Sequence, residues 1–208
     1  MTTLSRYSRE VTPGGRDRTR VALVRAAQEL LAEQGPAASV TAIAERAGVA
    51  LQTIYNQAGS KAELLALATS EAIADIEAFM TARSAPLPDP LARFALQMRL
   101  YGRLPDSHPL YARLLVQTAP DIIGRRQGYA PRAHDEVRRL VDAGRLHCDD
   151  IELVLMTAFA AFERLLAVRL QDPHVPPERG DDLAALILVL LGLTAHEARA
   201  LVSSPLEV

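Results

Sequence analysis

The sequence has almost no lysine. Its Lys and Arg side chains number 23, and only one of them, Lys61, is lysine. Tryptophan is absent and aromatic residues make up 4% of the chain. Alanine and leucine dominate instead, a composition that favours helix over sheet. No run of alternating β-branched residues and no Asn-Gly or Asp-Gly pair signals a hairpin. The single cysteine, Cys148, rules out an internal disulfide and fits a reducing compartment, where it reads as an ordinary helix-start residue. The N-terminal stretch MTTLSRYSRE lacks the apolar centre of a secretory signal. The longest apolar run, Leu183 to Leu193, is too short to cross a bilayer. A cytoplasmic protein without membrane contact is the expectation.

Marks of catalysis are also missing. There is no Gly-rich phosphate loop, no Gly-x-Ser-x-Gly and no His-x-x-x-His. None of the 5 histidines has the Glu three residues earlier that a di-iron bundle needs. No catalytic residue, metal or cofactor is therefore expected, and an enzyme is the weakest reading. The formal net charge is −2, so the chain as a whole is no basic nucleic-acid binder. The charge is unevenly spread, however. Residues 1–61 sum to +3 and the rest to −5, which suits a protein that docks DNA with one end.

The densest information lies in SVTAIAERAGVALQTIYNQAGSK, residues 39–61. Ser39 is a plausible N-cap for a helix with Ile43, Ala44 and Ala47 on one face. Gly48 permits the left-handed backbone of a sharp corner. A second short helix, about Leu51 to Gln57, buries Ile54 and presents Gln52, Thr53, Tyr55, Asn56 and Gln57 as a polar, uncharged surface. Ser60-Lys61-Ala62-Glu63 has the spacing of a capping box. Lysine in a first helical turn opposes the positive end of the helix dipole, and a phosphate would remove that conflict. The pattern is a helix-turn-helix. The bland alternative is a helical hairpin whose polar face meets only water.

Residues 18 to 65 resemble the DNA-binding domain of TetR-type transcriptional regulators. The resemblance rests on Leu31-Ala32-Glu33-Gln34-Gly35, Ser39-Val40, Ile43-Ala44-Glu45, Ala47-Gly48-Val49, Thr53-Ile54-Tyr55 and Ser60-Lys61-Ala62-Glu63-Leu64-Leu65. The family pattern usually carries an aromatic residue where this chain has Ala58, and often His where it has Gln57. The resemblance implies an all-α protein of bacterial type: a three-helix helix-turn-helix domain, then a helical ligand-sensing and dimerisation domain. By position, Leu51, Gln52, Asn56 and Gln57 are candidate base readers; Ser39, Thr41, Thr53, Tyr55 and Lys61 are candidate phosphate contacts.

Along the chain, residues 1–15 read as a flexible arm with scattered arginines, either a groove-reaching arm or an untidy terminus. Residues 16–60 would form the DNA-binding domain and 61–208 the effector and dimerisation domain, with 61–83 as the connecting helix. Further helices are expected over about 90–104, 109–118, 121–143, 149–171, 181–192 and 195–203. Two of them are apolar most of the way round, one containing Leu155, Phe162 and Leu166, the other Leu183, Ile187, Leu190 and Leu191. A helix of that kind must be covered on all sides, and pairing with a second copy of the chain would do it.

Phe94, Met98, Tyr101, Tyr111, Leu115, Met156, Phe159 and Phe162 are candidates for an effector cavity, with plain core as the alternative. Arg99, Arg103 and His108 could meet an acidic ligand, but solvated surface is the reading preferred. The family is mostly repressive and induced by small molecules, so the expected partners are an inverted-repeat duplex, a second copy of the chain and an effector. A helical protein-interaction adaptor without DNA binding is the alternative.

Overall fold

The computed structural model describes residues 15–124, 129–204 and 206. The expected arm falls outside the described residues, apart from Gly15. Eleven α-helices and a 3-10 turn make up the described residues, which contain no strand. None of these helices is long and apolar enough to cross a membrane.

The first helix, α1 (Gly15–Gln34), ends at a 3-10 turn over Gly35–Ala37. Two short helices follow, α2 (Val40–Ala47) and α3 (Leu51–Ala58). Ser39 Oγ accepts from Ala42 N at 3.1 Å and starts α2 as expected. Gly48 ends it with φ of 68°, and its N–H bonds to the last carbonyls of the helix. That left-handed residue makes the corner, because a side chain there would strain the backbone.

The long α4 (Lys61–Ser84) spans about 36 Å at 1.5 Å per residue. Ser60 caps it by accepting from Glu63 N at 3.2 Å, but the box is only half built. The Glu63 carboxylate turns to the Ser60 hydroxyl, and the Ser60 N–H bonds to Ala58 O instead. The complete reciprocal box sits at the other end of the chain, between Thr194 and Glu197.

The body adds α5 (Pro90–Gly102), α6 (Leu104–Ser107), α7 (Pro109–Gly124), α8 (Tyr129–Asp142), α9 (Ile151–Gln171), α10 (Glu178–Leu190) and α11 (Ala195–Val202). One boundary differs clearly from expectation. The sequence predicts a break between Thr118 and Asp121; α7 runs through Ala119-Pro120 to Gly124, and the next helix starts only at Tyr129. Proline opposes a helix interior. The half of α7 that precedes the proline buries Tyr111, Ala112, Leu114 and Leu115, and α7 packs on α1 and α9. α5 ends at Gly102 and Leu104 opens the separate α6, where the sequence predicts an unbroken helix to Leu104.

Apolar side chains gather in two clusters. The first runs without interruption from the head into the body: Leu23, Leu30 and Leu31 of α1, Ile43 of α2, Ile54 of α3, Leu64 and Ile76 of α4, and Leu114 of α7. Each such leucine or isoleucine contributes about 1.5–3 kcal/mol by leaving water. The second cluster joins α5, α8, α9, α10 and α11 through Phe94, Val137, Leu155, Phe162, Ala184 and Leu188. Tyr101 is packed against both.

Candidate nucleic-acid interface

The outer surface of the head is built on α3. Ile54 is the helix's inward anchor at 0% exposure, which fixes the rotation of the other side chains. Leu51, Gln52, Tyr55, Asn56 and Gln57 are then left exposed, and Thr53 half-buried. The structure brings all of them onto one short helix beside exposed Ser39 and Thr41. Gln52 Nε2 donates to Asn56 Oδ1 at 3.3 Å, the i, i+4 pairing of neighbours on a helix surface. Amide groups held side by side can present donor and acceptor together to a base edge. Ala58, at the position where an aromatic is usual, still packs against the first cluster.

Lys61 does not project freely. Its Nζ donates to the Pro36 carbonyl at 3.0 Å, tying the start of α4 to the 3-10 turn, and the residue is half-buried. An ammonium has three donors, so two remain for an anion. Arg46, a residue that sequence spacing does not single out, orients α2. Its guanidinium forks onto Glu33 at 3.0 and 3.1 Å and reaches Glu29 at 3.4 Å, both on α1. The hydrogen bonds from Arg46 hold the Glu33 carboxyl below its ordinary range.

The expected effector residues divide. Phe94 and Phe162 lie in the second cluster, with Met98, Tyr101 and Phe159 packed alongside. Tyr101 meets Phe162 edge to face at 5.5 Å. Beside this aromatic layer Glu163 is half-buried, and burial pushes its carboxyl above the ordinary range. Tyr111 and Leu115 belong to the first cluster instead, where Tyr111 donates from its hydroxyl to Asp75 at 3.1 Å. Met156 is a correction: it stands on the outside of α9, 53% exposed, and lines no interior space.

Surface is likewise the wrong assignment for Arg99, Arg103 and His108. All three are buried. Arg99 and Arg103 both bond to Asp181 of α10, and Arg169 of α9 bonds to Asp106 and to the Gly102 carbonyl. His108 packs edge-on against Phe79 of α4 at 4.6 Å, and its Nδ1 has no hydrogen-bond partner.

Burial holds the His108 pKa below its usual 6.5, since it disfavours the imidazolium. On acidification the unfolded chain takes up this proton before the folded chain does. The stability that the neutral ring contributes is complete above pH 6.5 and is lost as pH falls through the lower folded-state value. A His108→Phe variant should therefore have a urea midpoint that depends less on pH on the acid side. An unaltered acid branch in urea titrations would show that this ring does not carry the effect.

The helices of the dimer expectation are apolar on more than one side, but several of the named residues are spoken for. Leu155, Phe162, Leu166, Ile187 and Leu191 are buried within the single chain. Leu183 is half-buried. The uncovered side chains are Leu153 and Met156 on α9 with Leu186, Val189 and Leu190 on α10. Each of these five side chains is at least 40% exposed.

Comparison with known proteins adds sequence and structural likeness. Residues 23–68 match the family of bacterial regulatory proteins of the tetR type, and residues 89–204 match the tetracyclin repressor-like C-terminal domain. The crystal structure of RolR in complex with resorcinol superposes with a TM-score of 0.71 at 25% identity, covering 92% of this chain and 96% of that one. RolR without ligand gives 0.72 at 24% identity, over 90% of this chain and 98% of that one. A putative TetR-family regulator from Rhodococcus sp. gives 0.68 at 16% identity, covering 84% of this chain and 99% of that one. No curated protein matches the chain.

Proposed function

Because this chain belongs to the TetR family of DNA-binding, ligand-responsive transcriptional regulators, we propose that it acts as a cytoplasmic homodimeric repressor, released from an inverted-repeat operator by a small molecule. Family membership, and no absence in the structure, sets the enzymatic reading aside. The observation that carries the proposal is the outward face of α3, where Gln52, Tyr55, Asn56 and Gln57 are exposed over an inward Ile54. In the proposed roles, Leu51, Gln52, Asn56 and Gln57 read base edges in the major groove. Ser39, Thr41, Thr53, Tyr55 and Lys61 hold phosphates, positioning the helix without reading sequence.

Dimerisation is supported by the uncovered stripe on α9 and α10. A two-fold axis through it would pair each stripe with its copy in a four-helix interface. Two recognition helices about 34 Å apart would then meet half-sites one helical turn apart. The effector seat proposed is the aromatic layer of Phe94, Met98, Tyr101, Phe159 and Phe162. RolR is 25% identical and was solved with resorcinol, so resorcinol is the first effector to assay against the operator complex. A ligand releases DNA only by binding one arrangement of the dimer more tightly than the other.

Gel shifts on the duplex flanking the coding region, at two salt levels, test the proposal. Counterion release makes affinity fall steeply with salt. Lys61→Ala should weaken binding to all sequences alike and lower the salt slope by about one. Gln52→Ala or Asn56→Ala should cost about 1–3 kcal/mol on the cognate duplex and relax its sequence preference. Salt-independent binding, or a slope that Lys61→Ala leaves untouched, would contradict the phosphate role.

A further inference from the structure

The α3 segment LQTIYNQA carries no charged side chain. The commonest guanine reader is an arginine or lysine that donates to both N7 and O6, and cytosine is read by a carboxylate that accepts from N4. Neither group exists on α3. In the flanking α2 and the first turn of α4, Arg46 is forked onto Glu33 and Glu29, and Lys61 is turned to the Pro36 carbonyl. What α3 offers instead is two coupled carboxamides and an apolar side chain at its start.

Gln52 and Asn56 lie one turn apart and both are exposed. Gln52 Nε2 donates to Asn56 Oδ1 at 3.3 Å, which orients the Asn56 amide. Asn56 Nδ2 keeps its hydrogens for an outside acceptor, and Oδ1 keeps a second lone pair for an outside donor. Adenine presents that complement in the major groove, where N7 accepts and N6–H donates beside it. Guanine does not, because its O6 would set an acceptor against Asn56 Oδ1. Next to the pair, Leu51 is the first residue of α3 and is 42% exposed. The N-terminal residues of a recognition helix are those that reach base edges. An apolar group there has one match among the bases, the C5 methyl of thymine. Ile54, fully buried, locks the rotation that leaves all three side chains outside.

We propose that α3 reads A·T pairs: Asn56 takes N7 and N6 of an adenine, Gln52 is the positioning residue that holds the Asn56 amide, and Leu51 meets a thymine methyl. The inference rests on the operator reading and names the bases that the operator must supply. The test starts with the full chain enriching duplexes from a randomised pool. The inverted half-sites recovered should each hold an invariant adenine and an invariant thymine. Substituting 7-deazaadenine at the invariant adenines, one at a time, removes N7 alone. At one of them it should weaken binding about tenfold or more in the parent, but less than about twofold in Asn56→Ala. Gln52→Met keeps the length of the side chain and loses its donor. It should shrink the 7-deazaadenine penalty to about threefold or less while leaving the response at thymine untouched. Uracil in place of the thymine removes one methyl, which should weaken binding about fourfold in the parent and not at all in Leu51→Ala.

Half-sites recovered without an invariant A·T pair would overturn this inference and leave the operator reading standing. A pool in which no duplex is enriched would end both. Analogue penalties that persist in full in Asn56→Ala and Leu51→Ala would assign those contacts to other side chains. A Gln52→Met chain that discriminates against 7-deazaadenine as sharply as the parent would remove the positioning role.

Discussion

Leu186→Arg should turn the protein into a monomer and lower operator affinity by a factor of about a hundred or more. Leu186 is the most exposed of the large apolar side chains on the uncovered stripe, at 61%. In the proposed interface it would face its own copy across the two-fold axis, so one substitution introduces two opposed guanidinium groups into an apolar seam. Two like charges taken out of water cannot be stabilised there. The fold itself should be unaffected, because Leu186 contributes little to the chain's own core. Affinity falls because a dimer makes the second half-site contact intramolecular, and a monomer loses that advantage. Sedimentation equilibrium and gel shifts on the same preparation check both halves. A Leu186→Arg protein that still sediments as a dimer would remove this stripe as the interface.

Gly102→Val is the second large expectation, and it acts on stability. A Cβ at Gly102 would lie 2.7 Å from the Gly180 Cα, so α5 and α10 cross with backbone against backbone. A flexible side chain could move aside; a helix backbone cannot without separating the two helices. The crossing also anchors Arg169, whose Nη1 donates to the Gly102 carbonyl at 2.7 Å. Forcing the helices apart would strain that bond and loosen the Asp181 cluster at the start of α10. The expected cost is about 3 kcal/mol, at the upper end of overpacking. Urea unfolding of the variant should show a lower midpoint with an unchanged slope. A midpoint equal to that of the parent would mean that the two helices are not held at this distance.

What was legible in the sequence was local. Ser39, Gly48 and Ser60 each act on residues three or four places away, so their spacing alone places α2, the corner and the start of α4. The polar face of α3 was legible for the same reason, since a single inward Ile54 fixes the rest. Long-range pairing was not. Arg99 and Arg103 read as solvated surface because Asp181 lies 82 and 78 residues away. Met156 and Phe162 share one helix, and nothing in their spacing says which the chain itself will cover. The Lys61 bond to Pro36 joins positions 25 apart, so the reading of position 61 lacked its first partner.

The unbroken first cluster has a mechanical consequence. With α1 resting on both α4 and α7, the head has no slack strap on which to swivel. Any signal that respaces the reading helices must carry head, α4 and α7 along as a single lever. The surface on which such a lever can slide is the seam against the second cluster, and Tyr101 sits astride it. Shear along a seam proceeds in small discrete steps between alternative packings. A molecule wedged beside Tyr101 would then act as a shim, and in the proposed dimer its thickness would set how far apart the two reading heads come to rest.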